Sequence, residues 1–153
     1  MIKVVKAKGV GNTPLGAFDN ALFNCGIHNH NLIYLSSVIP SNQQVKVIDR
    51  FTESKRWGSK LYVVMAHEED ELEAQASIGW LYDKESGNGL FVEHIGKHSL
   101  KDNRDALDDL ANTRGITAYS KNTYCQVSKK EEGEEYVCAM VVAVFEEEDW
   151  RTL

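Results

Sequence analysis

Thr13-Pro14-Leu15-Gly16-Ala17-Phe18-Asp19-Asn20-Ala21-Leu22-Phe23-Asn24-Cys25-Gly26 is a helix written out with both of its ends. Thr13 can cap free backbone N–H groups, and Pro14 suits the first helical position, where its missing donor is not needed. Leu15, Phe18, Leu22 and Cys25 recur at helical spacing, and Gly26 stands where a C-terminal glycine belongs. Asp19 falls mid-helix, off the apolar stripe, with Gly16, Asn20 and Phe23 around it. Downstream, Asn31 to Ile39 (Asn-Leu-Ile-Tyr-Leu-Ser-Ser-Val-Ile) is expected as one strand, closed by Pro40.

Outward from this helix and strand, Met1-Ile-Lys-Val-Val-Lys is a strand-like alternation, too short and broken for a signal peptide. Residues 41–59 are polar and turn-like, and Leu61 to Met65 is expected as a strand. Ala74, Ala76, Ile78, Trp80 and Tyr82 keep a period of two, which favours a strand over the helix suggested by the Glu-rich run before them. Glu85-Ser-Gly-Asn-Gly makes a turn, and Leu90 to Ile95 returns as its hairpin partner. Ser99 is expected to cap a second helix that turns Leu107, Leu110 and Ala111 inward and stops before Gly115. Thr123 to Ser128 and Tyr136 to Phe145 are expected as a hairpin. Its last strand is apolar on both faces, and so central and covered on both sides. Two helices among strands in mixed order predict a single α+β sandwich over residues 1–153.

The composition sets limits on function. Lys and Arg number 17 against 23 Asp and Glu, a formal charge of −6, which argues against a nucleic-acid partner or an anionic membrane surface. No run approaches the ~20 apolar residues of a membrane span. Cys25, Cys125 and Cys138 are odd in number and lack C-x-x-C spacing, so buried free thiols in a reducing cytoplasm are expected.

Three constellations carry chemistry. Ser36 and Ser37 put two hydroxyls inside an apolar strand that ends at proline, where β-branched and aromatic residues are preferred. A serine bonded to backbone beside one facing solvent accounts for them structurally, and no Gly-x-Ser-x-Gly elbow is present. His28-Asn29-His30 puts two imidazoles on one side of an extended segment, as metal chelation requires. Tyr34, Leu35 and Ser36 stand where a cupin would place its glutamate, and His67, His94 and His98 complete no ligand set, so no metal is expected. His94 and His98 read as surface residues or parts of a polar pocket. Glu93 lies within Leu90-Phe-Val-Glu93-His-Ile95. It is either an outward-facing strand residue or a desolvated carboxyl suited to donate a proton. The acidic runs Glu131 to Glu135 and Glu146 to Asp149 read as solvated ends.

Taken together, Thr13 to Leu22, Gly26-Ile-His-Asn-His-Asn31-Leu-Ile-Tyr-Leu-Ser36-Ser37-Val-Ile-Pro40 and Gly89-Leu-Phe-Val-Glu93-His-Ile-Gly96-Lys97 resemble the pyruvoyl-dependent arginine decarboxylase family. The resemblance implies a four-layer αββα sandwich of mainly antiparallel sheets flanked by helices. It implies self-cleavage between Ser36 and Ser37 into a β chain 1–36 and an α chain 37–153, with a covalent pyruvoyl group formed from Ser37. That group would convert arginine to agmatine and CO₂ through a Schiff base. By the same resemblance Glu93 returns a proton to carbon, Asp19 binds the guanidinium, and Asn31 steadies the carbonyl attacked in cleavage. Leu15, Leu22 and Val38 line the pocket. His28 and His30 stand where relatives more often carry small or apolar residues, so they are expected near the substrate, and either could change which amino acid fits. The alternatives are therefore the same cofactor chemistry on another amino acid, or an uncleaved family member acting as a binding or assembly protein. A straight strand would hold Asn31 and Ser37 roughly 20 Å apart. Either the chain bends, or sites form between subunits of the trimer that the resemblance implies.

Overall fold

The computed structural model, which describes residues 1–52 and 56–151, runs β1 (Ile2–Gly11), α1 (Pro14–Cys25), β2 (Asn31–Tyr34), β3 (Val38–Ile39), β4 (Val45–Val47), β5 (Lys60–Asp70), β6 (Glu73–Asp83), β7 (Gly89–Ile95), α2 (Ser99–Thr113), β8 (Tyr119–Lys129) and β9 (Tyr136–Glu148). The strands form a five-stranded sheet, β2-β5-β9-β1-β4, and a four-stranded sheet, β3-β7-β6-β8. Pairing is antiparallel except for β1 with β4 and β2 with β5.

The layers follow from alternation along the strands. On β9, Val137, Ala139, Val141 and Ala143 meet Ala76, Ile78, Trp80 and Phe91 of the smaller sheet. The intervening Cys138, Met140, Val142 and Val144 meet Ala17, Ala21, Leu22 and Cys25 of α1. β9 is therefore apolar on both faces because it is the middle strand of a covered sheet. A third cluster, Leu81, Leu90, Val92, Leu107 and Ala111, seats α2 on the outer face of the smaller sheet. The stack α1, sheet, sheet, α2 is the four-layer α+β sandwich.

Helix α1 has the ends its sequence specifies. Thr13 Oγ1 accepts from Gly16 N at 2.9 Å, and Gly26 closes the helix at φ 87°. Gly9 lets α1 approach β1, since a Cβ there would stand 2.1 Å from the Ala17 carbonyl oxygen.

Several expectations are corrected. Asn31 to Ile39 is not one strand: β2 belongs to the larger sheet and β3 to the smaller. Within the polar segment 41–59 the short β4 pairs with β1, while residues 53–55 lie outside the described residues. β8 and β9 are not a hairpin. The turn between them carries the chain across to the other sheet, so β8 pairs with β6 and β9 with β5 and β1. Ser99 is not a cap; it is the first residue of α2, preceded by His98, and is fully buried. It turns inward because Ser99, Asn103, Leu107 and Ala111 form the buried stripe of the helix. Glu147 is not a solvated end, since its side chain is 7% exposed against His30. No helix among the described residues is long and apolar enough to cross a membrane.

Candidate active site

The chain passes from one sheet to the other at Ser36. Leu35 N still donates to Val63 O of the larger sheet at 2.9 Å, while Ser37 O already accepts from Phe91 N of the smaller sheet at 2.7 Å. Between these anchors Val38 N donates to Ser36 O at 2.9 Å, a bond from residue i+2 to residue i that makes a tight turn centred on Ser37. The Ser36 carbonyl is thus polarised by a backbone donor two residues ahead. Ser37 Oγ donates to Glu93 Oε2 at 3.2 Å. β3 is only two residues long, so the edge of β7 beside Glu93 is left uncovered by it, and Glu93 is exposed.

Two adjoining clefts contain Glu93 and His94. One, about 510 Å³, includes Ser36, Ser37, Leu110 and Arg114; the other, about 430 Å³, includes Tyr34, Met65, His67 and Ile95. A larger cleft of about 680 Å³ shares Val38, Leu90 and Arg114 with the first but contains neither Ser37 nor Glu93. Burial raises the Tyr34 hydroxyl pKa above its ordinary value, and the nearby Glu69 adds to the rise.

The structure brings Ser36, Ser37, Val38 and Glu93 together, and leaves the remaining sequence-predicted residues apart from them. Leu15 is 74% exposed, and Asp19, also exposed on α1, makes no hydrogen bond or ion pair among the described residues. Leu22 is buried between α1 and the larger sheet. Phe18 sets its ring edge-on to His67, 4.6 Å between centroids, which brings α1 to the rim of the second cleft. Asn31 commits its amide to another partner, its Nδ2 donating to Gly58 O at 2.8 Å.

The two histidines of His28-Asn29-His30 point into the protein. The His28 ring lies tilted against Phe23, 4.7 Å between centroids, and its Nδ1 is buried without a hydrogen-bond partner among the described residues. The His30 side chain is 1% exposed, with Nδ1 at 3.2 Å from Ile27 O and Nε2 on the Glu147 carboxylate, which also accepts from Ser59 Oγ. Among the described residues no three His, Cys, Asp or Glu side chains gather as a metal site.

Two features of the site were missed by sequence reasoning. The Val38 N–H carries no side-chain signal at all. The contact of His94 with Asn103 was legible only as a polar pair, Ser99 and Asn103, interrupting the apolar stripe of α2.

A family profile described as pyruvoyl-dependent arginine decarboxylase matches residues 1–149. The chain belongs to this family. Curated relatives bearing the name pyruvoyl-dependent arginine decarboxylase include that of Halobacterium salinarum, 35% identical over 118 residues, covering 76% of this chain and 71% of that protein. The relative from Pyrococcus furiosus is 32% identical over 151 residues, covering 97% of this chain and 75% of its own. That from Methanocaldococcus jannaschii is 31% identical over 111 residues, covering 72% and 67%. The family is named for a pyruvoyl group and for arginine. The Ser36–Ser37 turn sets a hydroxyl, a carboxylate and a hydrogen-bonded carbonyl side by side.

Proposed function

We propose that this protein is a self-processing decarboxylase that converts arginine to agmatine and CO₂, with Ser37 as the source of its pyruvoyl group. The observation that carries the reading is the Ser37 hydroxyl, held by Glu93 within a turn whose carbonyl already accepts the Val38 N–H. In the first step Ser37 Oγ attacks the Ser36 carbonyl carbon and its proton leaves toward Glu93. The carbon–nitrogen bond breaks, and an ester replaces the peptide. Loss of the Ser37 Cα proton then breaks the Cβ–Oγ bond and releases chain 1–36 with a new carboxylate. Hydrolysis of the dehydroalanine left behind gives the pyruvoyl terminus and ammonia. The chemistry such a group supplies is a ketone for the substrate's amine and a conjugated carbonyl that accepts the electron pair left by CO₂.

The remaining roles belong to side chains. Glu93 returns a proton to the substrate carbon, and Asp19, lacking a partner among the described residues, receives the guanidinium as a planar charged pair. Val38 and Leu15 offer apolar surface to the aliphatic part of the substrate, and Leu22 holds α1 in place beneath them. Asp19, Leu15 and Asn31 do not line the clefts that hold Glu93, so we place the complete site between protomers of a homotrimer. Exposed Leu15, Tyr34, Val38 and Ile95 support a contact between protomers. The three free thiols, two of them buried, suit a cytoplasmic protein. His30, turned inward, supplies no reason to change the substrate.

The test is an intact-mass spectrum of the purified protein. Sharing 17.2 kDa by residue number, cleavage gives pieces of roughly 4 and 13 kDa. Ser37→Ala, with neither nucleophile nor leaving group, should stay whole. A wild-type protein that remains one piece after prolonged incubation overturns the reading in favour of an uncleaved binding protein.

A further inference from the structure

Beneath α2, in a layer otherwise built from Leu81, Val92, Leu107 and Ala111, runs a line of three polar side chains. Ser77 on β6 and Asn103 on α2 are both 0% exposed. Asn103 Nδ2 donates to Ser77 Oγ, and Asn103 Oδ1 lies 2.6 Å from His94 Nδ1. Burying an amide and a hydroxyl in such a layer is costly unless they are paired, and this line pairs them with each other and with one imidazole.

The line has a direction. With the amide nitrogen committed to Ser77, the amide oxygen faces His94 as an acceptor, so His94 Nδ1 carries the hydrogen. In the neutral ring the lone pair is then on Nε2. With the amide in this orientation, two fully buried residues favour the Nδ1–H tautomer of a histidine that lines both clefts containing Glu93, one of which also contains Ser37. Successive residues of a strand face opposite sides, so Glu93 and His94 serve the cleft from the two faces of β7.

We infer that His94 is the proton acceptor for the substrate's amine, its Nε2 taking the proton that the α-ammonium of the amino acid must lose before that nitrogen can act as a nucleophile. The inference rests on the decarboxylase reading above. One N–H bond of the ammonium breaks, and its electron pair stays on nitrogen. The proton joins the Nε2 lone pair, and the resulting imidazolium keeps Nδ1–H on Asn103. Nothing is oxidised or reduced. Glu93 and His94 then divide the work, one handling the proton bound for carbon and the other the proton leaving nitrogen.

Two measurements test this. In protein carrying ¹⁵N-histidine, long-range ¹H–¹⁵N spectra should show His94 protonated at Nδ1 and bare at Nε2. Asn103→Leu, with its fold checked by circular dichroism, should release the ring into both tautomers. Protonation of wild-type His94 at Nε2 overturns the inference. On processed protein, reductive trapping with cyanoborohydride followed by mass spectrometry compares arginine, whose amine arrives protonated, with methoxyamine, whose amine arrives neutral. His94→Gln should capture arginine about 10²-fold more slowly and methoxyamine at the wild-type rate. Asn103→Leu, which keeps the imidazole but frees it to turn, should fall between. Equal slowing for both amines, or slowing for neither, ends this inference alone. A wild-type protein that never yields two pieces ends the decarboxylase reading and this inference with it.

Discussion

Replacing His30 with valine removes an imidazole that lies between Ile27 O and the Glu147 carboxylate, with side chains 1% and 7% exposed. The Glu147 carboxylate then keeps the Ser59 hydroxyl but loses the ring that faces it in the interior. Breaking a buried pair by removing one partner costs ~3–5 kcal/mol, mostly because the other charge stays buried. For a chain of this size each kcal/mol moves the midpoint by ~2–4 °C, so His30→Val should lower Tm by roughly 6–20 °C. Replacing both members, His30→Val with Glu147→Met, should recover most of that loss, since a well-filled apolar pair is often as stable as the polar pair it replaces. The assay is thermal and urea unfolding in the Ser37→Ala background, which keeps the chain in one piece. Protein concentration must be held constant, because association of protomers adds to apparent stability. A single variant that loses less than about 1 kcal/mol, or a double variant no better than the single, refutes the buried pair. Unchanged stability with altered preference among amino acids would put His30 at the substrate after all.

Three further outcomes follow from the site and the core. Asp19→Asn should leave self-cleavage intact while arginine kcat/KM falls about 10²–10³-fold or more, from the ~3–5 kcal/mol of a broken pair that closure between protomers would bury, and an uncharged analogue should fall far less. Glu93→Gln should cost about 10²–10⁴ in turnover of whatever fraction is processed, measured per pyruvoyl terminus, and normal turnover would remove Glu93 from the chemistry. Burial pushes the Cys25 thiol up to about 12 and raises Cys138 still further, so both stay protonated, and unreactive to iodoacetamide, at pH 8. Half-buried Cys125 should label first, with all three labelling after unfolding.

What the sequence made legible was local. The cap at Thr13, the proline after it and Gly26 are contacts within one helix, so α1 could be bounded to the residue. The period of two in β6 and the two-sided apolar face of β9 likewise record which faces are buried. Sheet membership is not recorded in this way. A turn signal marks where the chain reverses but not whether the next strand pairs or crosses, which is why β8 and β9 read as a hairpin. The run through Leu35-Ser36-Ser37 looked continuous because both halves are apolar, although Val63 claims one side of the break and Phe91 the other. Glu147 read as solvent-facing because its partner, His30, lies 117 residues away. The serine pair and Glu93 were singled out as chemistry, yet their meeting at 3.2 Å depends on β7 lying beside the crossover.

The crossover at Ser36 also governs how the processed protein would come apart. A cut there leaves β1, α1 and β2 on the shorter piece, and β1 is an interior strand, paired from Lys3 opposite Val144 to Gly11 opposite Tyr136 and flanked on its other side by β4. The shorter piece would therefore be interleaved with the longer one, held by strand pairing on both sides and by the core beneath α1. Before the cut, unfolding of a protomer is a unimolecular event, and refolding of that protomer needs no encounter between pieces. After it, unfolding separates two polymers, and recovery becomes a bimolecular reaction whose yield depends on dilution. Proprotein and mature protein with nearly the same contacts would then differ in reversibility. The unprocessed chain should refold from denaturant, whereas the mature one, once dispersed, should be governed by its rate of unfolding.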